Sequence, residues 1–96
     1  MFVHIVTAQV RPDRLGDIER LYQQIDANAD SPLPAPEAAW LLLDRDRCRC
    51  LALTLWKTEA DLRAMEQLGR LPLTGQMAWL LAGTPTREVY ELVSGL

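Results

Sequence analysis

The 96-residue sequence predicts an α+β domain whose elements run βαββαβ, with the four strands in one antiparallel sheet. Three observations lead there. Two apolar runs, 38–43 and 48–56, flank the four charged residues Asp44 to Arg47 and read as a hairpin. A segment with helical periodicity lies on each side of that hairpin, and the chain opens and closes on stretches rich in β-branched and apolar residues. A chain of this length holds one core, so residues 1–96 are taken as a single domain.

Phe2 to Val10 is the first strand, ended by Arg11-Pro12-Asp13 because proline cannot donate to a ladder. Asp13 suits the N-cap of a helix from Arg14 to about Ala27, in which Leu15, Ile18, Leu21, Tyr22 and Ile25 form one face. Asn28 to Pro36 holds three prolines at alternate positions and reads as a connection. Ala38–Leu43 and Cys48–Trp56 are strands two and three. Thr58-Glu59-Ala60-Asp61 then opens a second helix carrying Leu62, Met65 and Leu68, with Gly69 as its stop. Thr74 to Ala82 predicts a short third helix with Met77, Trp79, Leu80 and Leu81, a brace or lid ahead of the breakers Gly83 and Pro85. Arg87 to Val93 alternates as a final strand. This order is the ferredoxin-like arrangement.

The hairpin has no polar face. With Leu43 set opposite Arg49 and Leu41 opposite Leu51, one face holds Trp40, Leu42, Cys50, Ala52, Thr54 and Trp56. The other holds Leu41, Leu43, Leu51, Leu53 and Leu55. Helices on one side of a sheet leave the second face to water or to a partner. Full burial of five leucines at roughly 1.5 to 3 kcal/mol each is an upper bound on the order of 10 kcal/mol. A twofold homodimer packed through the leucine face is therefore expected, the alternative being a monomer in which the 28–36 loop and the C-terminal segment shield it.

Composition narrows the function classes. The net charge is −3, and the basic run Arg45 to Arg49 is broken by Asp46 and Cys48, so no nucleic acid is expected as a partner. No apolar run reaches membrane-spanning length and Met1 to Ile5 lacks the basic start of an export signal, which suggests a bacterial, cytoplasmic protein with free thiols. Cys48 and Cys50 share a strand face as small apolar residues, and one histidine is too few for a usual zinc site.

The first strand ending in Val10-Arg11-Pro12-Asp13, the helix Leu15 to Tyr22, and above all Leu53-Thr54-Leu55-Trp56-Lys57-Thr58-Glu59-Ala60-Asp61-Leu62 resemble the antibiotic biosynthesis monooxygenase family of dimeric α/β barrels. Asp13 stands where that family commonly has Gly after Pro. The resemblance implies a homodimer and, in some members, oxygen insertion into aromatic or polyketide-type metabolites with no cofactor. Other members degrade haem, using an Asn on the first strand, a Trp ending strand three and a His after the second helix. The matching positions here are Val6, Trp56 and no histidine, which argues against haem breakdown because the iron lacks its axial ligand.

Cofactor-free oxygenation needs an apolar pocket, a base for a phenol or enol, and polar groups to hold the anion. His4 is the candidate catalytic base, being the only side chain with an ordinary pKa near neutrality. It shares a strand face with Phe2, Val6 and Ala8, and the alternative is a core histidine bonded to backbone or water. Candidate pocket residues for a small hydrophobic or aromatic ligand are Trp56, Tyr22, Val6, Met65, Trp79 and Tyr90, each of which could equally serve the core. A non-catalytic binding or assembly module on the same barrel is the competing reading.

Overall fold

The computed structural model describes residues 1–26, 35–67 and 79–95, without the side chains of 22–26. Strand β1 (Phe2–Gln9) leads through a 3-10 turn at Pro12–Arg14 into α1 (Leu15–Asp26). The hairpin β2 (Ala38–Asp44) and β3 (Arg49–Trp56) follows, then α2 (Glu59–Gln67) and β4 (Thr86–Glu91). The strands form one antiparallel sheet in the order β2-β3-β1-β4, the ferredoxin-like arrangement read from the sequence.

Local chemistry accounts for the element ends. Proline opens the 3-10 turn, where its fixed φ is already suitable, so Arg11 takes the capping position and Asp13 lies inside the turn instead of capping. Asp17 anchors the first turn of α1 by accepting from Arg14 and Arg20, and those guanidinium bonds hold its carboxyl below the usual value. Thr58 caps α2, its Oγ1 accepting from the Asp61 amide at 3.2 Å. The expected continuation of α1 to Ala27, the 28–34 part of the loop, Leu68, Gly69 and most of the short third helix lie outside the described residues. Of that predicted helix Trp79 and Leu80 lie in a 3-10 turn, and the chain then leaves it: Leu81 forms an antiparallel bridge with Val10, flanked by Arg11 N to Leu80 O (3.0 Å) and Ala82 N to Gln9 O (2.7 Å).

The hairpin register differs from the expected one by a single residue, and the difference matters. Asp44 pairs with Arg49, Leu43 with Cys50, Leu42 with Leu51 and Leu41 with Ala52. The loop is thus the four residues Arg45–Cys48 rather than five. Asp44 fixes it by accepting from the Arg47 amide at 3.2 Å, and Cys48 closes it with a φ of 51°. Because side chains alternate, the slip exchanges the faces of β2. Leu41 and Leu43 therefore point to the helices and pack on the main core, while Trp40 and Leu42 join Leu51, Leu53 and Leu55 on the opposite face.

Among the described residues, the helix-facing side holds two apolar clusters. Val6, Ala8, Cys50 and Ala52 of the sheet pack with Ile18 of α1 and with Val10, Leu80 and Leu81. At the other end of the sheet, Trp56 packs with Leu62 and Met65 of α2. The far face carries Val3, Ile5, Leu51, Leu53 and Leu55 half-buried, with Leu42 50% and Tyr90 52% exposed. Among the described residues no helix is long and apolar enough to cross a membrane.

Candidate functional site

Register places the candidate base between those clusters. Along β1, His4 stands between Phe2 and Val6; across the sheet it pairs with Thr54 of β3, which stands between Ala52 and Trp56. His4 and Thr54 are thus at the seam where the α1 cluster ends and the α2 cluster begins, and they are the buried polar side chains of the described core. A sheet explains the juxtaposition: residues directly opposite have Cβ atoms about 4.5 to 5.5 Å apart and project to the same side.

His4 is 1% exposed and its Nδ1 has no hydrogen-bond partner. A buried acceptor or donor without a partner costs about 1–3 kcal/mol, which makes this atom an exception needing a reason. Burial, then the charge of Arg87, lowers the imidazole pKa, and Glu66 of α2 opposes them in part. The ring is therefore neutral at pH 7 and can accept a proton. Beside it, Trp56 Nε1 donates to Thr54 Oγ1 at 2.8 Å, locking the indole over the sheet. On its other side His4 faces Val89 of β4, which is exposed, with Arg87 and Glu91 one alternation away on the same side. The seam is therefore flanked by apolar packing on its Val6 and Trp56 sides and by the exposed strand β4 on another.

The sequence-derived candidates divide. Val6, Trp56 and Met65 lie with His4 on the helix-facing side. Tyr90 does not: it pairs with Val3 on the opposite face, where its hydroxyl donates to Glu88 and so has a raised pKa. Trp79 is also elsewhere, 53% exposed beneath the Arg14 guanidinium, whose carbon is 5.2 Å from the ring centroid. Neighbouring Leu80 enters the core in its place. The Tyr22 side chain lies outside the described residues. Sequence reasoning missed Thr54 as a site residue, although a lone hydroxyl two residues before Trp56 in an apolar strand was a usable signal. It also missed Arg87 and Glu66, whose proximity to His4 comes only from the sheet order and the helix packing. Burial pushes the Cys50 thiol up to about 11, so it is an inert part of the α1 cluster. Among the described residues no group of three His, Cys, Asp or Glu side chains is arranged to hold a metal ion.

No family model matches the sequence, and no curated protein does. Solved structures do match over nearly the whole chain. A Nitrosomonas europaea protein named for the antibiotic biosynthesis monooxygenases is 22% identical, with a TM-score of 0.72 over 95% of this chain and 97% of its own. SnoaB, a cofactor-independent oxygenase from Streptomyces nogalater, is 21% identical with a TM-score of 0.72, covering 99% and 95%. The heme-degrader MhuD from Mycobacterium tuberculosis, whose structure holds two hemes in its active site, is 16% identical with a TM-score of 0.74, covering 100% and 99%. At these identities the likeness establishes architecture: the chain has the ferredoxin-like fold of the antibiotic biosynthesis monooxygenases.

Proposed function

We propose that this chain is a cofactor-independent oxygenase of a small aromatic or polyketide-type metabolite bearing a phenol or enol, working as a cytoplasmic homodimer. The observation that carries the reading is the buried, neutral His4 with an unpartnered Nδ1 beside Trp56. His4 takes the proton of the substrate hydroxyl, and the electron pair of the broken O–H bond delocalises onto the ring carbon. That carbon, which still bears a hydrogen, gives its electrons to dioxygen and bonds to it; the peroxide takes the proton back from His4, and the hydroperoxide loses water as its O–O bond and the carbon's C–H bond break, leaving a carbonyl. The substrate supplies all four electrons that dioxygen accepts, so the reaction needs no cofactor. Trp56 supplies a flat apolar wall for the ring.

The described residues do not fit a haem. Val6 is fully buried in the α1 cluster at the position where haem-degrading proteins of this resemblance carry Asn, and the sole histidine is on β1 rather than after α2. Adding haem should leave its Soret band unmoved.

Oxygen uptake with anthrone or hydroquinone tests the oxygenase. Wild type should consume oxygen, with His4→Ala slower by roughly a hundredfold or more, the contribution of a placed base, and Trp56→Ala slower by about tenfold. Equal rates in all three would remove the site. The second reading, a binding module, is favoured by the scarcity of buried polar side chains, His4 and Thr54 alone among the described residues. Saturable binding of hydroquinone without oxygen uptake would establish it.

A further inference from the structure

Thr54 is only half used. Its Oγ1 accepts from Trp56 Nε1 at 2.8 Å, yet its hydroxyl hydrogen has no acceptor among the described residues, although the side chain is buried. Directly across the β1–β3 ladder stands His4, whose Nδ1 also lacks a partner. Two adjacent buried groups, one with a spare donor and one with a spare acceptor, are complementary to a single kind of atom. A hydroxyl oxygen can accept from Thr54 and donate to His4 at once, since it carries one hydrogen and two lone pairs. A carbonyl or ether oxygen meets only half of that demand. With its proton on Nε2, the tautomer that neutral imidazole prefers in water, the ring offers Nδ1 as the acceptor that the hydroxyl meets.

We propose that Thr54 is a substrate-binding residue of this site, its hydroxyl donating to the oxygen of a phenolic or enolic ligand whose own O–H donates to His4 Nδ1. The proposal rests on the oxygenase site described above and goes beyond it by naming the hydroxyl as the recognised group. When the proton moves from that oxygen to Nδ1, Thr54 and the imidazolium N–H both donate to the oxyanion, and nothing else need rearrange. The bond from Trp56 holds Thr54 in the rotamer that makes this possible. The ligand edge approaches over exposed Val89, the neighbour of His4 on β4, with Glu66, Arg87 and Glu91 as the charged groups around the approach.

Because the chain has one histidine, a single set of imidazole resonances reports the site. Hydroquinone and 1,4-dimethoxybenzene, which lacks the hydroxyls, are titrated with dioxygen excluded. Hydroquinone should shift the His4 signals and the diether should not. Thr54→Val should weaken hydroquinone about tenfold, the loss of one hydrogen bond near 1.4 kcal/mol, while Thr54→Ser restores it and the diether is indifferent to both. Equal shifts from the two probes, or no shift from either, would overturn the proposal. Should Thr54→Val not fold, the probe comparison on wild type and Thr54→Ser still decides. Hydroquinone binding with no oxygen uptake would refute the oxygenase while leaving this recognition intact.

Discussion

His4 ties stability to pH as well as serving the site. Its pKa is lowered below 6.5 in the folded chain, by burial first and then by Arg87, so between those two values the unfolded chain binds more protons than the folded one. The contribution of His4 is complete above pH 6.5 and is lost as pH falls through the folded value. Urea midpoints should therefore decline for wild type from about pH 7 to about pH 5, a slope that His4→Gln should largely abolish. An identical slope in both proteins would place the titrating group elsewhere. At this scale the sequence was informative where chemistry was unusual, as with the only histidine and the tryptophan that ends β3. It was silent on Arg87 and Glu66, which reach His4 from distant elements, and it placed Tyr90 on the wrong face because the face of β4 depends on pairing with β1.

The hairpin register decides which β2 side chains meet the helices. Strand limits were legible from the apolar runs, but a charged turn can close with four or five residues, and nothing in Asp44 to Cys48 fixes that count without the backbone. The structure shows the determinants: the Asp44 carboxylate on the Arg47 amide, and Cys48 in the left-handed region. The loop is tied further by Gln9 Nε2 donating to the Cys48 carbonyl at 3.1 Å and by Arg45 reaching Glu19 of α1 at 3.3 Å. A non-glycine residue in that region costs about 1–2 kcal/mol, and more with a branched Cβ. Cys48→Gly should therefore exceed Cys48→Val in stability by about 1–2 kcal/mol in denaturant unfolding. A Val variant as stable as the Gly one would contradict the turn geometry. The register itself predicts that Leu41→Glu unfolds the chain, since Leu41 packs on the α1 cluster, whereas Leu42→Glu leaves the fold intact.

For the molecule as a whole, the governing fact is a sheet with two apolar faces, of which the described helices α1 and α2 pack on one. The element order and the need for a cover were readable from the apolar runs, the helical periodicity and the alternation along the hairpin; the one-residue register slip changed which β2 residues lie on the face away from the helices, replacing Leu41 and Leu43 with Trp40 and Leu42. Leu51, Leu53 and Leu55 keep their place there, joined by Val3 and Ile5 of β1. A contiguous apolar face of this kind marks an interface, and a second copy of the same face is the simplest complement. That arrangement leaves the His4 and Thr54 seam on the outer, helix-covered side of each subunit. Light scattering on the eluting peak at micromolar concentration measures this directly. Wild type should show twice the 10.8 kDa chain mass and a folded Leu42→Glu the single-chain mass. A folded wild-type monomer at 10.8 kDa would contradict the dimer.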